Sequence, residues 1–117
     1  MRESLELFAH NLNFYMNRYG YNQVTLAKKL NKANSTVADW VHGRKFPRIE
    51  MLDKLTEVFH CKRSDLLEHY TTEETVRQSE LSDRLTKYLH MLNADGMEKV
   101  LTYLEDLNPK FFREENQ

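Results

Sequence analysis

Asn34, Ser35, Thr36, Ala38 and Asp39 carry the richest short-range chemistry in this chain. Projected at about 100° per residue, Ser35, Ala38, Asp39 and His42 share one side of a helix, with Asn34 at its N-terminal edge and Thr36 at the boundary. An amide, two hydroxyls, a methyl and a carboxylate in this order are suited to recognition rather than to bond making. They match the donor, acceptor and methyl pattern of base edges in the major groove of DNA. Asn34 can pair with adenine through two hydrogen bonds, Ser35 and Thr36 can donate or accept, Ala38 can touch a thymine methyl, and Asp39 can accept from cytosine. Gln23, Lys32, Arg44, Lys45 and Arg48 flank this run as candidates for phosphate contacts, and His42 is read as a backbone contact rather than a reader of bases.

Bond-making chemistry finds no comparable arrangement. The five histidines form no HExxH pair, and only His60 adjoins a cysteine. The three glycines are isolated, so no phosphate-binding loop is present. Asp39, Glu50 and Asp53 are better read as a solvated face than as a carboxylate cluster. No enzymatic activity, cofactor or metal is expected. The single Cys61 has no intramolecular partner for a disulfide and is read as a small core residue.

A net charge of −1 hides an asymmetry. Residues 1–70 hold 11 Lys/Arg and 8 Asp/Glu (+3), whereas residues 71–117 hold 6 and 10 (−4). The basic surplus lies between 28 and 48, in Lys28, Lys29, Lys32, Arg44, Lys45 and Arg48. A basic front and an acidic rear suit nucleic acid at one end and protein at the other. No apolar run approaches the ~20 residues of a membrane span. The N-terminus lacks a secretory hydrophobic region, so a cytoplasmic protein without membrane contact is expected.

The elements that must position these residues follow from apolar spacing. Leu5, Phe8, Leu12, Tyr15, Met16 and Tyr19 predict a first helix over 3–19, ended by Gly20. Asn22 caps a second helix that runs to Leu30, and Asn31 stands at a turn that tolerates a left-handed residue. A third helix runs from Asn34 to His42, with Ala33, Val37, Trp40 and Val41 toward the core. A fourth follows Pro47, with Ile49, Leu52, Leu55, Val58 and Phe59 inward. Ser64 caps a short fifth helix carrying Leu66 and Leu67. Five short helices in about seventy residues predict an all-α domain over 1–70. Residues 71–80 are polar and read as a linker or exposed helical connection. Residues 81–117 read as an αα-hairpin, with Leu81, Leu85, Tyr88, Leu89 and Leu92 on one stripe and Met97, Val100, Leu101, Leu104 and Leu107 on the other. Asn93 caps the second helix and Pro109 closes it.

The spacing of Gln23, Leu26, Ala27, Leu30, Val37, Trp40, Gly43 and Pro47 resembles the lambda-type phage repressor and Cro (Xre-like) family of helix-turn-helix regulators. The resemblance covers residues 5–68. It implies a five-helix DNA-binding domain whose third helix reads an operator. It also implies dimers on near-palindromic sites and repression as the usual outcome. Five positions depart from the family pattern. The turn holds Asn31, Lys32 and Ala33 where a glycine, an apolar residue and a capping hydroxyl are usual. Asn34 would then cap in place of Ala33. Met16 and Val41 occupy the places of an arginine–glutamate pair, and an apolar contact between them is expected in its stead.

The hairpin is too small to bury a core alone, so it must pack on the first domain or dimerise. Leu85, Leu89, Leu101 and Leu104 are the dimerisation candidates. No self-cleaving protease domain is expected in a chain of this length, and no strand pattern follows residue 70. Release from DNA would then fall to a ligand, to degradation or to a partner such as an anti-repressor protein. The rival reading is a protein-binding helix-turn-helix module, such as an antitoxin whose partner is a toxin protein. Its support is the lack of any Lys or Arg between Ala33 and His42.

Overall fold

A computed structural model describes residues 2–113. It falls into two units, Met1–Val76 and Arg77–Gln117. All regular secondary structure among the described residues is helical, with no strand.

The first unit holds α1 (Arg2–Tyr19), α2 (Gln23–Leu30), α3 (Asn34–Val41), α4 (Ile49–Phe59), α5 (Arg63–Leu67) and the first turn of α6 (Glu73–Met91). Short helices need defined ends, and these are supplied locally. Gly20 ends α1 at φ +75°. Asn22 caps α2: its Oδ1 accepts from the Thr25 N–H at 2.8 Å, and the Thr25 hydroxyl accepts from the Asn22 N–H at 2.8 Å. Asn31 closes α2 at φ 56°, the left-handed conformation that asparagine tolerates better than most residues.

Phe8, Leu12, Tyr15 and Met16 from α1 meet Leu26, Ala27 and Leu30 from α2, Val37 and Trp40 from α3, and Met51, Leu52, Leu55, Phe59 and Leu66 beyond. Val41 packs against this cluster, so it and Met16 join one apolar assembly. α1 is the central element and packs on α3, α4 and α5, while α2 packs on α3.

Four expectations change. Ile49, the first residue of α4, is exposed, and Met51, two residues on, takes the inward place. Ala33 is exposed as the N-cap of α3 and does not reach the core. Asn34 is therefore the first helical residue and is not the cap. Ser64 does not cap α5, which starts one residue earlier; there the Lys62 N–H donates to Asp65 Oδ2 at 2.9 Å.

The segment after α5 is tied down. The Asn11 amide, fully buried on α1, donates to the carbonyls of Leu66 at 3.0 Å and His69 at 2.7 Å, and its oxygen accepts from the Thr71 N–H at 2.7 Å. The Thr71 hydroxyl donates to the Asp65 carbonyl at 2.6 Å. Arg18 pairs with Glu73 at 2.6 Å, which raises the guanidinium pKa. Residues 71–80 therefore comprise a buried threonine, Thr72 and the opening turns of α6.

The second unit contains the rest of α6, α7 (Ala94–Glu105) and a 3-10 turn at Pro109–Phe111. Asn93 caps α7, its Oδ1 accepting from the Gly96 N–H at 2.9 Å. No residue of α6 or α7 is buried, so the pair forms no core of its own. The last four residues of the expected 81–117 region lie outside the described residues.

Candidate nucleic-acid interface

The third helix is held from behind. Val37 is fully buried and Trp40 is 4% exposed, which fixes the rotation of α3 about its axis. The carbonyl of the small, buried Ala27 in α2 accepts from both the Asn31 and Lys32 N–H groups, which ties the α2–α3 turn to α2. A third tie comes from Asn13 on α1, whose amide donates to the Val41 carbonyl at 3.1 Å and to the Ala9 carbonyl at 2.8 Å.

With Val37 and Trp40 inward, Asn34 and Ser35 are exposed, and Thr36, Ala38 and Asp39 are half-buried. The first five sequence candidates thus lie on one presented side of α3. No side chain caps α3, so the first-turn N–H groups have no side-chain acceptor. Gln23 is half-buried in the first turn of α2.

The loop after α3 carries the cations. Gly43 adopts φ +70°, and a Cβ there would lie 3.4 Å from the Leu5 carbonyl oxygen and 3.5 Å from the Ala9 Cβ. Glycine lets the loop sit directly on α1. Phe46 then anchors on Phe8, with ring centroids 5.9 Å apart. Between these two anchors Arg44 and Lys45 face solvent, and Arg48 follows as the extended residue before α4. His42, at the C-cap of α3, is also exposed.

Lys32, Thr36, Asp39, Lys45, Arg48 and Glu50 share the rim of a groove of about 410 Å³, floored by Trp40 and Met51. Three cations from two segments, Lys32 before α3 and Lys45 and Arg48 after it, thereby converge beside the open face of α3. The Asp39 carboxylate lies among them: Oδ1 is 3.3 Å from Arg44 Nη1, and Oδ2 is 3.6 Å from Lys45 Nζ. Its backbone carbonyl also accepts from the Arg44 and Lys45 N–H groups, at 2.8 and 3.3 Å. Sequence reasoning missed this double engagement, as well as the supporting roles of Asn13 and Phe46. The i to i+5 and i+6 spacing from Asp39 to the two cations was the available signal.

The Cys61 thiol is partly buried beside Tyr15, and burial pushes its pKa up to about 12. The Tyr15 phenol is likewise raised by burial. Neither group is poised for chemistry at neutral pH. Among the described residues no cluster of His, Cys, Asp or Glu is suited to a metal, and no helix is long and apolar enough to cross a membrane.

Comparison with known proteins agrees with this geometry. A family model described as helix-turn-helix matches residues 14–66. The chain is similar to the SOS-response transcriptional repressor LexA from Eubacterium rectale in solution, at 27% identity and a TM-score of 0.56, over 61% of this chain and 76% of that one. It shares its fold with a transcriptional regulator from Listeria innocua, at 23% identity and a TM-score of 0.50, over 91% and 96% of the two chains. No curated protein sequence matches. The buried Val37 and Trp40 on the inner side of α3, the left-handed turn at Asn31 and the glycine after the third helix agree with that match, which places a helix-turn-helix within residues 14–66.

Proposed function

We propose that the protein is a sequence-specific DNA-binding transcriptional regulator, a repressor of phage-repressor type. It binds a near-palindromic operator as a homodimer, with α3 in the major groove. The observation that carries this reading is the open face of α3, backed by buried Val37 and Trp40 and bordered by Lys32, Arg44, Lys45 and Arg48. An α-helix fits the major groove, and its N-terminal residues reach the base edges. Asn34, Ser35, Thr36 and Ala38 read bases. Gln23, Lys32, His42, Arg44, Lys45 and Arg48 contact the backbone.

The exposed stripe of the second unit supports dimerisation. Leu85 is 65% exposed, Leu89 42%, Leu101 54% and Leu104 42%. Exposed leucines on two helices that bury none of their own residues support an interaction site there. Pairing two copies multiplies the contacts of one helix and sets half-sites about 34–36 Å apart.

Selection of bound duplexes from a random pool tests the reading. A palindrome with fixed half-site spacing is the expected result. Affinity should fall with salt at a slope near −0.9 per phosphate contact. Arg44→Gln should weaken all duplexes alike, whereas Asn34→Ala should relax preference at one position by about 1–3 kcal/mol. Recovery of no enriched duplex, together with retention of a toxin-like protein partner, would favour the protein-binding alternative.

A further inference from the structure

We propose that Asp39 is a charge brake on the DNA-binding face: it holds Arg44 and Lys45 partly neutralised, and so sets how tightly the domain grips any duplex regardless of sequence. The inference rests on the DNA-binding reading above.

Three observations carry it. The carboxylate reaches both cations at once, one through each oxygen, at 3.3 and 3.6 Å. The Asp39 carbonyl accepts the N–H groups of the same two residues, so the loop geometry returns these cations to the same carboxylate. Asp39 is also the least exposed partner, its side chain 27% accessible against 61% for Arg44 and 74% for Lys45. A fixed anion thus sits beneath two mobile cations, beside a groove whose other charged residues are Lys32, Arg48 and Glu50.

Phosphates must compete with this carboxylate for Arg44 and Lys45. One negative charge among the cations leaves one fewer counterion to release on binding. The effect is electrostatic and independent of base sequence. A carboxylate committed to two cations is, for the same reason, a poor acceptor for a cytosine amino group. Asp39 therefore tunes overall grip, and base preference is left to Asn34, Ser35, Thr36 and Ala38. Such a brake has a use: non-specific sites vastly outnumber operators, and excess positive charge would strand the protein on them.

Asp39→Asn tests the proposal, because it keeps the shape and every backbone hydrogen bond. Full-length wild type and variant would be titrated with the selected operator and with a scrambled duplex from 50 to 200 mM salt. Asp39→Asn should tighten both complexes by a similar factor, about 3–10-fold at the lower salt, and steepen the salt slope by about 0.9. The preference at each base position should not change. In an Arg44→Gln, Lys45→Gln background the gain should vanish, since the brake acts through those cations. Persistence of the gain in that background would overturn the proposal, placing Asp39 directly against phosphate. Loss of preference at one base pair without tightening on scrambled DNA would overturn it too, making Asp39 a reader. Failure of the wild type to bind any duplex would sink the reading beneath it as well, and is told apart by the wild-type titration alone.

Discussion

The two units contrast in how they treat their apolar residues. In the first, fourteen hydrophobic side chains from five helices are buried in one cluster, several with no exposure at all. In the second, two helices of comparable amphipathic pattern bury none; Leu85, Tyr88, Met91, Leu101 and Tyr103 are each more than half exposed. The same alphabet of leucines serves opposite ends. A domain that closes around its own core can present a rigid reading helix. A helix pair left open keeps its apolar side chains exposed, the surface that the proposed dimer would use.

Core truncation gives the sharpest test of this contrast. Phe59 is fully buried, stacks on Tyr15 with centroids 5.7 Å apart and meets Tyr21 edge-on. Phe59→Ala should cost about 3–5 kcal/mol of stability, read from denaturant unfolding. Charges placed on the open stripe should do the reverse. Leu89→Glu with Leu101→Glu should leave the unfolding of the first unit within about 0.5 kcal/mol, as expected for surface changes. The same pair should abolish self-association in sedimentation and weaken operator binding by about 100-fold through lost avidity. A large loss of monomer stability would break the comparison, because it would mean the stripe is already covered.

A smaller effect concerns pH. Cys61 is neutral in the fold and its pKa is raised from an ordinary 9.0 to about 12 by burial. Folding favours the protonated form, so its contribution is complete below pH 9 and is lost as pH climbs from 9 toward 12. Thermal melts should be flat from pH 7 to 9 and decline above. Cys61→Ser should reduce that alkaline decline, leaving the part due to Tyr15.

Local signals made most helix ends in both units legible. The caps at Asn22 and Asn93 and the left-handed turn at Asn31 depend on near neighbours, and the helical stripes depend on spacing alone. Errors arose where a helix start had to be placed within a residue or two. Ile49 looked inward on periodicity, but an extended Arg48 sets the phase of α4 and turns it outward. Ser64 looked like a cap, yet the Lys62–Asp65 bond starts α5 earlier. His60 ends α4 at φ 52°; histidine is, with Asn and Asp, enriched in the left-handed region, a weaker signal than the glycine that ends α1.

Long-range polar ties were the least readable. Asn11 lies between Phe8 and Tyr15 on the core side of α1, and an amide in that company should have signalled a buried partner. That its partners lie 55 to 60 residues away could not be read from spacing. On the interface, the outward side of α3 followed from the helical projection. The pairing of Asp39 with Arg44 and Lys45 required the loop geometry imposed by Gly43 and Phe46.

The shielded thiol of Cys61 has a practical corollary. Thiolates attack maleimides and the thiosulfonates that carry nitroxide labels, and a chain whose sole native sulfhydryl stays protonated is nearly silent toward them at neutral pH. A cysteine introduced on the outer face of α7 would then take a spin label selectively without removal of the native one. Dipolar spectroscopy on such singly tagged protein would measure the spacing between copies directly, in buffer and on an operator.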